Sequence, residues 1–281
     1  MRLSIYTFVK DGLYFDFHVV DMLRHHLPLA DEIVVNEGYS SDGTYEAIRD
    51  IDPKIRVVRN EWDRSDPKTW SMKFKNQARS LCTGDWCILL DCDEFIPEWE
   101  FDRIRDHLQR TDKSIVPMRY LHFYGNYKVR HTSPKKVGWP AVKSTMHRNS
   151  PEFEIWGDGS NVRSRSDDRP ELYDDPLCDC HHFGFVRNPA RLRQKWRIQR
   201  KRNQHDPADK PSWDRTPGFV FDLMPHRWDD PDFLPDVAQY DGPYVRAVRE
   251  NPDEFIRDDE MLCRLLESNG QPRAAVEKMD A

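Results

Sequence analysis

Asp91, Asp93 and Glu94 stand directly after the apolar run 86–90, which follows a Gly-Asp turn at 84–85. Such a run is typical of a strand buried on both faces of a sheet. Because like charges this close repel one another, the three carboxylates need a cation, and oxygen ligands suit Mg²⁺ or Mn²⁺. Ligands of open α/β sheets bind at the carboxyl ends of the strands. The spacing therefore predicts a divalent metal that carries nucleotide phosphates, with a solvated acidic loop as the alternative.

A second candidate site lies in the segment 31–44, where a strand pattern ends at Glu37 and a small polar turn leads to a helix start near Asp42. A carboxylate at a strand end can accept hydrogen bonds from a base edge or a ribose hydroxyl, and a helix N-terminus favours anions. We therefore expect a nucleotide to contact this turn. The alternative is an ordinary strand-to-helix turn with an Asp cap.

Both turns belong to an alternation of strand and helix signals over the first ~110 residues, which is the pattern of a parallel α/β sheet. Beyond Tyr120 the alternation weakens, and the segment 206–241 is rich in Pro and Asp. The predicted strands are 3–9, 32–35, 55–58, 86–90, 115–120, 141–146, 153–156 and 182–186. The predicted helices are 14–27, 42–49, 68–81, 101–110, 189–203 and 258–268.

Composition limits the classes of protein to consider. A net charge of −6 and a pI near 6.0 argue against nucleic-acid binding. No stretch approaches the ~18 apolar residues of a membrane span, and Met1 runs into a strand-like segment rather than a signal peptide, so we expect a cytoplasmic protein. The segment 191–202 carries seven cations in twelve residues. A solvated face is favoured for most of them, while a phosphate or acceptor site and peripheral contact with the inner membrane face stay open.

The six cysteines show no regular disulfide spacing. Cys178 and Cys180, followed by two histidines, have the residue types of a structural zinc site. No second Cys/His pair stands at finger-like spacing, and alternation along a strand explains both cysteines equally well.

Several segments match a known pattern as a set, in the expected order and at compatible spacing. The matching segments are 7–11, 34–44, 75–76 and 84–94. Together they resemble the family 2 glycosyltransferases of the GT-A fold, over residues 3–120, and 182–189 is similar to an element of some bacterial members. The chain departs from the family pattern where Glu37 replaces an Asp, Gly38-Tyr39 replace a small residue and a glycine, and Lys75 replaces an Arg.

The resemblance implies a GT-A α/β fold, with a Rossmann-like, mostly parallel central sheet flanked by helices. It implies a glycosyltransferase domain at 1–205 and a C-terminal extension at 206–281 packed on it. Within the domain, 1–120 is the nucleotide-binding half and 121–205 is the acceptor half. The implied reaction is metal-dependent, inverting transfer of a sugar from a nucleotide sugar to a carbohydrate or lipid-linked acceptor. A UDP-sugar is favoured as the donor, and a GDP-sugar is the second choice.

Two other classes of function stay open. A nucleotidyltransferase acting on a sugar phosphate also binds metal through carboxylates, but it usually has a Gly-rich basic loop after the first strand, where 10–13 reads Lys-Asp-Gly-Leu. A non-catalytic carbohydrate-binding protein explains the nine tryptophans. It does not explain three carboxylates at the end of a buried strand.

The resemblance also implies a nucleotide pocket. Thr7, Val9 and Glu37 line the base and ribose site, and Lys73 or Lys75 meets the base or the pyrophosphate.

The implied metal pair is Asp91 and Asp93, with Asp93 the more direct ligand and Asp91 also part of the nucleotide site. The charge of the pyrophosphate independently favours the same pair. His182 is the candidate third ligand of Mn²⁺ or Mg²⁺, because a neutral imidazole suits Mn²⁺. The alternative is a core histidine packed beside Phe183 and Phe185.

An inverting transfer needs a carboxylate that deprotonates the acceptor hydroxyl. Asp158 is the first choice, because it lies between glycines and close to Trp156, whose ring can stack on a sugar. Glu154 is the second choice. A plain turn aspartate is the alternative for Asp158.

Overall fold

The strands and helices form largely where the sequence alternates between the two signals. The computed structural model describes residues 1–62, 70–132, 141–156, 159–166, 169–188, 191–192, 194–195 and 237–256. The strands are β1 (Leu3–Val9), β2 (Glu32–Glu37), β3 (Ile55–Arg59), β4 (Trp86–Leu89), β5 (Glu94–Phe95), β6 (Ile115–Tyr124), β7 (Asn126–His131), β8 (Val142–Arg148), β9 (Phe153–Trp156), β10 (Asn161–Ser164), β11 (Asp179–Phe185) and β12 (Val237–Gln239). The helices are α1 (Val19–His26), α2 (Thr44–Ile48), α3 (Trp70–Arg79), α4 (Phe101–Arg110) and α5 (Arg246–Glu250).

Residues 1–120, 142–182 and 244–249 form one compact unit. Its main sheet has the strand order β6-β8-β4-β1-β2-β3. The four strands β1 to β4 run parallel, whereas β8 is antiparallel to β4 and to β6. Helix α3 packs on β1 and β2. The predicted GT-A α/β fold class is confirmed, with the parallel part confined to four strands.

Residues 121–141, 183–243 and 250–281 form a second compact unit. Within it, β7 pairs antiparallel with the end of β6 and with β12. Rings fill its core: Phe123 stacks on Phe183 at 4.7 Å between centroids, and Phe183 meets Phe255 at 4.9 Å. The predicted segment 206–241 lies outside the described residues except at its end, and the predicted helix 258–268 lies wholly outside them. The division at residue 205 stays a prediction.

The predicted helix 14–27 is wrong in its first turn. Asp11 and Asp16 both have positive φ, 52° and 56°, which takes the backbone out of the helical region. The N–H of Phe17 donates to the carbonyl of Gly12 at 2.8 Å and closes a tight loop. Helix α1 therefore begins only at Val19.

The parallel strands are buried on both faces, as their apolar sequences predict. All four residues of β4 are buried, and β1 is buried at every residue except Phe8. Gly84 precedes β4 because a Cβ there would lie 2.6 Å from Ser4 Oγ. Among the described residues, no helix is both long enough and apolar enough to cross a membrane.

Candidate active site

The acidic cluster forms a tight turn at the carboxyl end of β4. The N–H of Asp91 donates to Glu94 Oε2 at 2.9 Å, and the N–H of Glu94 donates to the carbonyl of Asp91 at 3.1 Å. After this turn β5 pairs antiparallel with β11, which places His182 opposite Glu94. Backbone pairing therefore brings a histidine from 88 residues further along the chain to the acidic turn.

Asp93, Glu94 and His182 form one group that could hold a metal ion, and it is the one such group within the described residues. One ligand atom from each lies within 4.8 Å of the others. His182 Nε2 is 3.7 Å from Asp93 Oδ1, and the side chain of His182 is 16% exposed. His181, its neighbour on the strand, faces the other way and is buried. The predicted residues Asp93 and His182 are therefore brought together.

Glu94 is already engaged by two buried neighbours. Lys143 Nζ lies 2.6 Å from Glu94 Oε1, and the hydroxyl of Tyr120 donates to Glu94 Oε2 at 3.2 Å. Burial raises the pKa of Glu94, and the ammonium of Lys143 opposes that shift. Because its oxygens are bound within the protein, Glu94 supports the turn, and Asp93 and His182 offer the donors for a cation.

Asp91 lies outside that group and pairs with a buried lysine. Lys75 Nζ is 2.6 Å from Asp91 Oδ1, and it donates to the carbonyl of Gly159 at 2.7 Å. The same ammonium lies 5.0 Å from the centroid of the Phe8 ring. Lys73, the other predicted phosphate contact, lies on the exposed face of the same helix. The prediction that Asp91 is a metal ligand stays a prediction.

Glu37 lies at the end of β2, buried, with both carboxylate oxygens bound. Oε2 accepts from Arg59 Nε at 2.7 Å and from the N–H of Tyr39 at 3.1 Å. Oε1 accepts from the N–H of Ser40 at 2.5 Å. Glu37 thus fixes the turn after β2. Of the other predicted pocket residues, Thr7 and Val9 are buried.

The turn after β2 presents an aromatic ring. Tyr39 has a φ of +53° and a half-exposed side chain. The guanidinium of Arg59 lies over this ring at 4.4 Å and over the ring of Tyr45 at 4.2 Å. Gly38 is required here, because a Cβ would lie 2.7 Å from the ring of Trp62. The turn therefore places a half-exposed aromatic ring at the carboxyl end of β2.

Comparison with known protein families decides the family. The sequence profile described as glycosyl transferase family 2 matches residues 19–190, more than half of the chain. The chain belongs to glycosyl transferase family 2. The match covers the turn after β2, the acidic turn and His182. Comparison with curated protein sequences finds no match.

Solved structures with a similar fold include other glycosyltransferases. TarS 1–349 of S. aureus in complex with UDP is 13% identical, with a TM-score of 0.46, and the alignment covers 100% of this chain and 91% of that chain. The same protein in complex with UDP-GlcNAc is 10% identical, with a TM-score of 0.45, covering 95% and 81%. Glucosyl-3-phosphoglycerate synthase of Mycobacterium tuberculosis, in complex with Mn²⁺, UDP and phosphoglyceric acid, is 12% identical, with a TM-score of 0.39, covering 64% and 70%.

Of the two candidate bases of this family 2 chain, one lies within the described residues. Asp158 lies outside the described residues, and its neighbour Gly159 is held by Lys75. Glu154 lies on β9 and is bound across the β9–β10 hairpin. Its Oε1 accepts from Arg163 at 3.0 and 3.1 Å, and Arg165 Nε lies 3.7 Å from Oε2. The structure therefore gives Glu154 a structural partner on each oxygen.

Sequence reasoning missed Lys143 and the engagement of Lys75 with the backbone. Lys143 lies in β8, between residues of no unusual type, and only the pairing of strands brings it to Glu94. The zinc alternative gains no support, because among the described residues Cys178 and Cys180 belong to no group of side chains that could hold a metal ion. Of the basic segment 191–202, four residues lie within the described part of the chain: 191, 192, 194 and 195.

Proposed function

We propose that this protein transfers a sugar from a UDP-sugar to a carbohydrate or lipid-linked hydroxyl, with inversion at the anomeric carbon. The observation that carries the proposal is the pairing of Asp93 with His182 at the carboxyl end of β4 in a chain of glycosyl transferase family 2. This is the edge of an α/β sheet where ligands bind.

The donor set suits a divalent cation of the Mn²⁺ or Mg²⁺ type. A carboxylate and an imidazole are the ligands that Mn²⁺ accepts, and Mg²⁺ prefers oxygen with several waters retained. Asp93 and His182 would hold the ion, while Glu94 stays bound to Lys143. When bound, the metal supplies positive charge to the leaving diphosphate.

The reaction needs one bond made and one bond broken at the anomeric carbon. The acceptor oxygen forms the new bond to that carbon, the bond to the diphosphate oxygen breaks, and the nucleoside diphosphate leaves with the electron pair. Asp158 takes the proton of the acceptor hydroxyl as general base. Glu154 is the weaker candidate, because Arg163 and Arg165 already bind its carboxylate.

The base and ribose would lie against the turn after β2 and the end of β1. Glu37 shapes this turn through the N–H groups of Tyr39 and Ser40. Thr7 and Val9 are buried near the end of β1, in register with Val35 and Glu37 of β2. We favour a UDP-sugar over a GDP-sugar as the donor.

Calorimetry with UDP tests the metal and the pocket together. We expect UDP to bind in Mn²⁺ at least tenfold more tightly than in EDTA, because the diphosphate needs a counter-charge. The variant Asp93→Asn should remove that difference by losing a charged ligand. The matched control is Asp50→Asn, which changes an exposed carboxylate with an exposed arginine partner.

Two outcomes would contradict parts of this proposal. Equal affinity for UDP in Mn²⁺ and in EDTA would rule out a divalent metal as a requirement for UDP binding. A thermal-shift series with UDP, GDP, ADP and CDP in which GDP gives the largest shift rules out the uridine preference. A panel of sugar nucleotides, assayed for slow release of the nucleoside diphosphate, then identifies the donor sugar.

A further inference from the structure

Lys75 is a buried lysine whose ammonium is enclosed on three sides. Its side chain is 3% exposed. The ammonium donates to the carbonyl of Gly159 at 2.7 Å, lies 2.6 Å from Asp91 Oδ1 and faces the Phe8 ring at 5.0 Å. The carbonyl of Gly159 accepts a hydrogen bond from this ammonium, and the carboxylate of Asp91 pairs with its charge. At 3% exposure, the side chain has little surface on which a phosphate could approach.

The ammonium and its two polar partners lie on different elements of the structure. Lys75 lies on α3, Asp91 follows β4, and Gly159 lies in the turn between β9 and β10. The ammonium is therefore the link between the acidic turn and the β9–β10 turn. Ile155 adds a weaker link, because its N–H donates to Asn76 Oδ1 at 3.2 Å.

The backbone conformation of Gly159 allows its carbonyl to reach the ammonium of Lys75. It has a φ of +91°, which residues with a side chain rarely adopt. A Cβ at this position would lie 2.9 Å from Ser71 Oγ and 3.6 Å from Lys75 Cδ. The backbone of the turn thus approaches α3 as closely as a glycine allows, and its carbonyl reaches the buried ammonium.

We propose that Lys75 is a positioning residue that holds the β9–β10 turn at a fixed distance from the acidic turn, and not a phosphate ligand. This inference rests on the proposed function, because Asp158, the proposed base, directly precedes Gly159 in the sequence. Lys75 acts through the turn and touches neither donor nor acceptor. Loss of the link should therefore slow transfer and leave donor affinity unchanged.

Hydrogen–deuterium exchange tests the link without any substrate. We expect Lys75→Met to speed exchange of peptides covering 159–166 by about 10- to 100-fold, the range for losing a hydrogen bond to a charged group. Exchange in β1 and β4 should be unchanged. The matched control is Lys54→Met, because Lys54 also bridges two carbonyls, those of Leu27 and Ala30, at the opposite edge of the sheet.

Gly159→Ala tests the same link from its other end, and Lys75→Arg keeps the charge. We expect Gly159→Ala to speed exchange in the same peptides, and the double variant with Lys75→Met to add little, since both changes break one link. We expect Lys75→Arg to restore part of the protection. These two variants keep the test decisive if Lys75→Met does not fold.

Binding and turnover then separate positioning from phosphate contact. We expect Lys75→Met to bind UDP with Mn²⁺ within about twofold of the wild type. Its kcat for release of UDP from UDP-glucose or UDP-GlcNAc, whichever the wild type hydrolyses, should fall at least tenfold. A UDP affinity weakened tenfold with kcat retained overturns the proposal, and so does unchanged exchange at 159–166. A wild type that hydrolyses neither donor counts against the proposed function, whereas the exchange result still decides the link.

Discussion

At the scale of single residues, the structure describes the surroundings of one of the two candidate bases, Glu154. Glu154 is bound by Arg163 and Arg165 across a hairpin, so a change there alters an ion pair at a partly exposed surface. Asp158 lies beside Gly159, which the buried ammonium of Lys75 connects to Asp91. The base of the reaction is therefore expected at Asp158.

Asp158→Asn should keep the affinity for UDP with Mn²⁺ and lose transfer, because an amide preserves the shape of the carboxylate but cannot accept the proton. Loss of general-base action costs about 10²–10⁴ in rate. Glu154→Gln is the matched control and should transfer at close to the wild-type rate. The measurement is kcat for transfer to an identified acceptor. Transfer by Asp158→Asn at near the wild-type rate would remove Asp158 from the mechanism and return Glu154 to consideration.

Residue identity predicted part of the site. Asp93 and His182 could be found from the sequence because their residue types suit a metal and because a strand places them at the sheet edge. Lys143 could not be found, because a lysine in an antiparallel strand carries no signal until its strand partners are known. The hydrogen bond from Arg59 to Glu37 could not be predicted from the sequence either, since it depends on the register of β2 with β3.

At the scale of elements, a buried ion pair joins the acidic turn to β8. Glu94 and Lys143 are both buried, and the ammonium lies over the ring of Tyr120 at 4.1 Å. Removing one partner of a buried pair leaves the other charge uncompensated in a poorly solvated place. The acidic turn therefore depends on a strand more than 45 residues away in sequence.

Lys143→Met should lower the free energy of unfolding by about 3–5 kcal/mol, measured by urea denaturation at pH 7. Adding Glu94→Gln should recover much of that loss, because the buried carboxylate that Lys143→Met leaves unpaired is then replaced by a neutral amide. Arg110→Met is the control, since the ion pair of Arg110 with Asp106 is exposed and worth less than about 1 kcal/mol. A single variant as stable as the wild type would show that water reaches Glu94.

Element positions were predictable where the local pattern was strong. The limits of β1, α4 and β9 agree with the sequence prediction. The start of α1 was not predictable, since the segment before it is held by long-range contacts of Asp11 and Tyr14 with the 40–44 loop. The N–H of Tyr14 donates to Asp42 Oδ2 at 2.6 Å, and Asp11 accepts from the N–H of Ser41 at 2.9 Å.

At the scale of the whole molecule, four buried histidines are held neutral by the fold. Burial lowers the pKa of His25 and His147 to about 4 and that of His181 to about 3, and it lowers the pKa of His26 well below 6.5. At His25, a hydrogen bond with the carbonyl of Ile96 partly opposes this lowering of the pKa. In the unfolded chain each imidazole returns to a pKa near 6.5.

Acid should therefore destabilise the protein well above the range in which carboxylates titrate. Because the folded pKa values lie below the unfolded value, the contribution of these histidines is fully present above pH 6.5 and is lost as the pH falls towards 4. Each histidine that binds a proton only in the unfolded state adds about 1.4 kcal/mol per pH unit, near pH 5, to the fall in the free energy of unfolding. Single domains have a free energy of unfolding of only about 5–15 kcal/mol, so we expect acid unfolding with a midpoint above pH 4.

Urea denaturation at pH 7, 6 and 5 measures how the free energy of unfolding depends on pH. The variant His147→Gln removes the contribution of one of these histidines. The amide of Gln does not titrate and can still meet the hydroxyl of Tyr6, which lies 3.0 Å from His147 Nε2. The variant should be less stable at pH 7, yet its free energy of unfolding should fall between pH 6 and pH 5 by about 1 kcal/mol less than that of the wild type. The same fall in both proteins would mean that His147 is already protonated in the folded state, which its burial between Tyr6 and Phe153 opposes.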